Sequence, residues 1–190
     1  MKTALLIVDV QNDFCPGGAL GTDGGDEVAQ KIAGILRDGP AAHGYSHFLA
    51  TQDWHIDPGT HFAPEGEEPD FVTSWPHHCV ADTEGAALRE PIDPTDIDAL
   101  FRKGQYDDGY SGFDGTTDDG QKLTNYLHAN KIDALDVCGI ATDFCVRATV
   151  LSARGEGFSV RVLRDLCSAV HPAGAEKALA EMEEAGATLA

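Results

Sequence analysis

Ala134-Leu135-Asp136-Val137-Cys138-Gly139-Ile140, running on through Ala141-Thr142-Asp143-Phe144-Cys145-Val146-Arg147, is the stretch whose reading decides the fold. Its first half is a nearly continuous apolar run, the pattern of a strand covered on both faces, as strands of parallel sheets are. Its second half turns tightly into a helical pattern, Asp143 to Ala153, closed by Gly155. A strand followed directly by a helix is half of a βαβ unit, and Cys145 falls in the first turn of that helix.

The same alternation extends in both directions. Strand-like runs recur at Thr3 to Val10, His47 to Thr51, Ala99 to Arg102 and Ser159 to Leu163, with a short last one at Thr188 to Ala190. Helical patterns occupy Asp26 to Arg37, Gln121 to Asn130 and Ala173 to Ala185. This order predicts an α/β fold, a three-layer α/β/α arrangement around a central, mainly parallel sheet. With 190 residues, 42% of them hydrophobic and no shift of composition, residues 1–190 read as one domain. Two connections exceed the usual length: Trp54 to about Pro94, holding four of the eight histidines, and Gly104 to Gly120. Loops of such length in a compact domain carry function or are disordered, and the histidines favour function.

The formal charge of −19, from 32 acidic and 13 basic residues, repels phosphate backbones and anionic lipid and leaves no basic stripe. Nucleic acid and membrane are therefore excluded as expected partners, and a neutral or cationic small molecule is favoured. The five cysteines are odd in number, widely spaced and without CxxC pairs, which points to reduced thiols and a cytoplasmic setting. The apolar start is too short for a signal segment, and no run has the length of a membrane span.

Residues at the carboxyl ends of parallel strands converge on one crevice. Asp9, Asp53, Lys103 and the Cys145 turn all fall at such ends. Unpaired N–H groups at a helix start favour thiolate and can hold an oxyanion, so Cys145 offers both a nucleophile and a charge sink. Taken alone, Cys145 reads equally well as a small buried hydrophobe, Asp9 as a cap and Lys103 as a solvated loop residue. Their joint placement changes this. A lysine beside a thiol stabilises the thiolate, and a nearby carboxylate can take a proton and return it to a leaving amine.

Asp53-Trp54-His55, His61 and His77-His78-Cys79 form a second group. Carboxylate and imidazole suit a divalent zinc, iron or manganese ion, and Asp53 and His55 are spaced to face one ion from an extended segment. Spacing does not separate His77 from His78. Phe14, Trp75, Tyr106 and Tyr110 supply aromatic surface that could sandwich a flat ring.

Six segments now stand together: Leu6 to Phe14, Ala50 to His55, Ser74 to Cys79, Arg102 to Gly104, Tyr110 to Phe113 and Gly139 to Val146. In them the chain resembles, almost from end to end, the nicotinamidase/pyrazinamidase branch of the isochorismatase-like cysteine hydrolases. The resemblance implies hydrolysis of nicotinamide, with Asp9, Lys103 and Cys145 as the catalytic triad. It implies an oxyanion hole from the N–H groups of Ala141 and Cys145, and a cis peptide between Ile140 and Ala141. It assigns Asp53, His55 and His78 to a divalent metal, with His61 a further ligand or neighbour, within a metal-binding loop 53–94. Phe14, Trp75, Tyr110 and Ile140 would contact the substrate ring. Two alternatives are a metal-independent relative acting on another small amide, and a non-catalytic metal-binding or redox-sensing protein. Oligomeric state is not readable from the chain.

Overall fold

The computed structural model describes all 190 residues. Six parallel strands, β1 (Thr3–Val8), β2 (His47–Asp53), β3 (Ala99–Lys103), β4 (Ala134–Ile140), β5 (Ser159–Ser168) and β6 (Thr188–Leu189), form one sheet in the order β3-β2-β1-β4-β5-β6. Alternate residues of β1 face opposite sides, as the two-residue repeat of a strand requires. Leu5 and Ile7 pack with Val28, Ile32 and Leu36 of α1 (Gly25–Asp38). Ala4, Leu6 and Val8 pack with the other face's helices, α2 (Leu123–Ala129), α3 (Arg147–Gly155) and α4 (Pro172–Glu184). The expected three-layer arrangement is therefore present, with one helix on one face and three on the other. No helix is long and apolar enough to cross a membrane.

Among the boundaries that differ from the sequence reading, three bear on the site. β1 stops at Val8 because Asp9 takes a left-handed backbone, φ 48°, which turns the chain out of the sheet. β5 runs on past Leu163 to Ser168, where Cys167 and Ser168 pair with Gly139 and Ile140, although this half-exposed second part, with Arg164 and Asp165, lacks an apolar run. Between β4 and α3, residues Thr142–Val146 form a wide π turn in which the Val146 N–H donates to Ala141 O at 3.0 Å. The Ile140–Ala141 peptide that leads into this turn is cis.

Gly139 has no substitute at its position. Its φ is 120°, and a Cβ there would lie 2.1 Å from Val8 O, its neighbour across the β1–β4 pairing. That close approach brings the end of β4, and the Cys145 turn after it, against the end of β1.

Candidate active site

The strand ends bring together the residues expected there. Lys103 closes β3 and is 1% exposed, and its Nζ lies 3.0 Å from Asp9 Oδ2 and 3.7 Å from Cys145 Sγ and ion-pairs with Asp53 Oδ1. Asp9 is fully buried. Thr51 Oγ1 donates to its Oδ1 at 2.6 Å, while Oδ2 accepts no hydrogen bond, and the thiol lies within 4.8 Å. One carboxylate oxygen is thus held by a hydroxyl, while the other carries the Lys103 ion pair and keeps a lone pair that can receive a proton.

Charge in this dry site follows burial first. Burial pushes the Asp9 carboxyl above its ordinary range, against the pull of the Lys103 ammonium. Burial pushes Asp53 up as well, but Lys103 together with His55 outweighs it and holds the carboxyl low. For Lys103, burial favours the neutral amine, yet the two carboxylates win and keep the ammonium well above its usual value. The Cys145 thiol is raised well above ordinary cysteine, by burial and by Asp9 and Asp53, despite Lys103. This corrects the expectation of a resting thiolate. The helix start and one lysine do not offset full burial beside two carboxylates, so Cys145 rests as a thiol.

The second group converges next to the first. His55, His61 and His78 are each 4% exposed or less, with nitrogens within 4.8 Å of one another. His55 Nδ1 donates to Gly104 O at 2.6 Å and His78 Nδ1 to Pro76 O at 2.7 Å, which leaves the Nε2 lone pair of each ring facing inward. His55 Nε2 and His61 Nδ1 are buried without a hydrogen-bond partner, and His55 Nε2 is 3.7 Å from Asp53 Oδ2. Orphaned buried nitrogens are costly, and a cluster of imidazoles beside a carboxylate oxygen is a donor set that fits a divalent transition-metal ion. Burial lowers His61 to about 4 and also lowers His78, so both rings are neutral and competent as ligands. The structure separates the two adjacent histidines: His78 is buried, whereas His77 is exposed and stacked on Phe62.

Asp53 joins the two groups, one oxygen toward Lys103 and the other toward His55. Its backbone is held in an unusual way. In the β1–β2 register Val8 pairs with Thr51, so Val10 would pair with Asp53 had β1 continued. Instead the fully buried Gln11 side chain takes that place, accepting from Asp53 N at 2.9 Å and donating to Asp53 O at 2.8 Å, with a second donation to Ala86 O at 2.8 Å. Sequence reading assigned no role to Gln11 or Thr51, since a polar residue near a strand end looks like any loop residue.

A mostly apolar cavity opens onto Cys145, Ala141, Asp53, His61 and His78. Phe14, Trp75 and Tyr110 line it as expected, and Trp75 Nε1 donates to Tyr110 Oη at 3.0 Å. Leu20, Phe144 and Val170 complete the wall and were not foreseen. Ile140 is a correction: its side chain is fully buried in the core under α1 and does not line the cavity, because the inward face of β4 belongs to the sheet packing. Tyr106 is 70% exposed and also lies apart. The Ala141 N–H donates no hydrogen bond within the protein and is available to a ligand beside Cys145. The Asp143 carboxylate accepts from Val170 N and His171 N, at 2.9 and 3.0 Å, and ties the Cys145 turn to the cavity wall.

This chain belongs to the Isochorismatase domain family, which it matches over residues 3–190. It is 46% identical over 186 residues to the nicotinamidase/pyrazinamidase of Mycobacterium tuberculosis, covering 98% of this chain and 97% of that one. Its fold superposes on PnC1 of L. infantum in complex with nicotinate with a TM-score of 0.84, at 36% identity, covering 100% and 92% of the two chains. For the pyrazinamidase of Pyrococcus horikoshii in complex with zinc, the TM-score is 0.81 at 37% identity, covering 100% and 99%.

Proposed function

We propose that the chain is a nicotinamidase, an amidohydrolase that converts nicotinamide and water to nicotinate and ammonia and also accepts pyrazinamide. The observation that carries this reading is one apolar cavity onto which both a buried thiol, backed by Asp9 and Lys103, and a cluster of unpartnered histidine nitrogens open. The likeness to a nicotinamidase/pyrazinamidase over nearly the whole chain supports the substrate.

Asp9 Oδ2 takes the thiol proton as Cys145 Sγ bonds to the carboxamide carbon, and the carbonyl electron pair moves onto oxygen. The N–H groups of Ala141 and Cys145 hold that oxyanion; losing one such donor typically costs about a hundredfold or more in rate. Collapse breaks the C–N bond, and Asp9 returns its proton to the departing ammonia. Water then cleaves the nicotinoyl thioester and restores the thiol. Lys103 keeps the buried carboxylates paired throughout. Asp53, His55, His61 and His78 would hold a divalent zinc, iron or manganese ion, which when bound supplies a Lewis-acid contact for the ring nitrogen. Phe14, Trp75 and Tyr110 confine the ring. A neutral substrate suits a chain of charge −19.

The test is ammonia release from nicotinamide by the purified protein, with and without chelator, beside Cys145→Ala. Loss in both the chelated and the substituted samples is expected, with nicotinamide binding retained in Cys145→Ala. Residual activity above a few per cent in Cys145→Ala overturns the covalent route, and release that survives chelation removes the metal from it.

A further inference from the structure

Thr51 makes no contact with the cavity, yet it is fully buried and its hydroxyl meets the carboxylate read above as the base. We propose that Thr51 is a positioning residue for catalysis, which fixes Asp9 Oδ1 on its hydroxyl and leaves Oδ2, beside Lys103, as the oxygen that serves the Cys145 thiol.

Three observations converge on this. The Asp9 N–H donates to Thr51 O at 3.2 Å and Thr51 Oγ1 donates to Asp9 Oδ1 at 2.6 Å, so one residue holds both the backbone and the carboxylate of its partner. Asp9 needs such holding, because it sits just past the end of β1 with a left-handed φ of 48° and has left the ladder that orders Val8. The Thr51 rotamer is itself fixed from behind. A Cβ on Gly112 would lie 2.8 Å from Thr51 Cγ2, so the methyl is packed tightly against that glycine, and the Gly112 N–H is anchored on Thr149 Oγ1 at 2.9 Å. With two heavy atoms on Cβ, seating the methyl also aims the hydroxyl.

The two arms of the side chain can be tested apart. Thr51→Val keeps the methyl packing and removes the donor; Thr51→Ser keeps the donor and removes the methyl. This inference rests on the reading of Asp9 as base, so Asp9→Asn is measured in parallel. Expected for Thr51→Val is a fall in kcat for nicotinamide of about tenfold or more, with KM within about twofold, since Thr51 does not touch the cavity. Thr51→Ser should stay within about threefold of the unsubstituted protein, with circular dichroism unchanged in all. Should Thr51→Val fail to fold, Thr51→Ala removes the same donor. Alkylation of Cys145 by iodoacetamide, slowed in Thr51→Val and not in Thr51→Ser, gives the same comparison without nicotinamide. A donor-free variant with full kcat, or Thr51→Ser falling as far as Thr51→Val, overturns the proposal. Full activity in Asp9→Asn overturns the reading beneath it instead.

Discussion

Cys145 has to be both protected and reactive, and its surroundings divide those duties. Burial raises the thiol, and in the proposed mechanism the Asp9 oxygen beside Lys103 takes its proton when a carbonyl carbon arrives. His61 shows the same logic in the histidine cluster. Its ring is held neutral, to about 4, whereas an unfolded chain protonates histidine near 6.5. Between those values the unfolded state binds the extra proton, so the metal-free protein should lose stability as pH falls from 6.5 toward 4 and keep it above. Denaturant midpoints at pH 7 and pH 5 check this; equal midpoints would refute it, and saturating metal, which bars protons from the imidazoles it holds, should not remove the difference. At this scale Asp9, Lys103, Cys145 and the histidines were legible, because each has a side chain whose chemistry stands out at a strand end or in a loop. Ile140 misled because its importance lies in the backbone after it, while strand alternation turns its side chain into the core.

At the scale of elements, the end of β1 decides the geometry of the site. By leaving the sheet at Asp9 the chain frees a carboxylate for chemistry but strips Asp53 of its strand neighbour, and the Gln11 amide fills the gap. Gln11→Met should leave both backbone groups of Asp53 unsatisfied, at about 1–3 kcal/mol each, and weaken zinc binding by the apoprotein. Gln52→Met is the control, since Gln52 Nε2 also reaches Ala86 O, at 2.9 Å, without touching Asp53. Similar zinc affinities in the two variants would show that Gln11 only packs. The order of strands and helices was readable because apolar runs and amphipathic stripes dominate their segments. The π turn at Thr142–Val146 was not, since one extra residue in a helical turn leaves no mark in a hydrophobic period.

For the whole molecule, charge is the outstanding property. At −19 the folded chain repels itself, and added salt should screen that repulsion. Thermal midpoints should rise by roughly several degrees between 0.01 and 0.5 M potassium chloride. A flat response would mean that surface pairs such as Arg102–Asp118 and Arg89–Asp26 already compensate the excess. The charge was visible in composition alone, but its concentration at two buried carboxylates around one lysine required the fold.

All five thiols share one condition: burial holds Cys15 at about 11, Cys167 at about 12, and Cys79, Cys138 and Cys145 well above ordinary cysteine. Peroxide attacks thiolates far faster than thiols. If Cys145 is the nucleophile proposed above, the burial that delays its ionisation also makes it a slow target for peroxide between turnovers, so iodoacetamide and peroxide should both react with it sluggishly in the free protein.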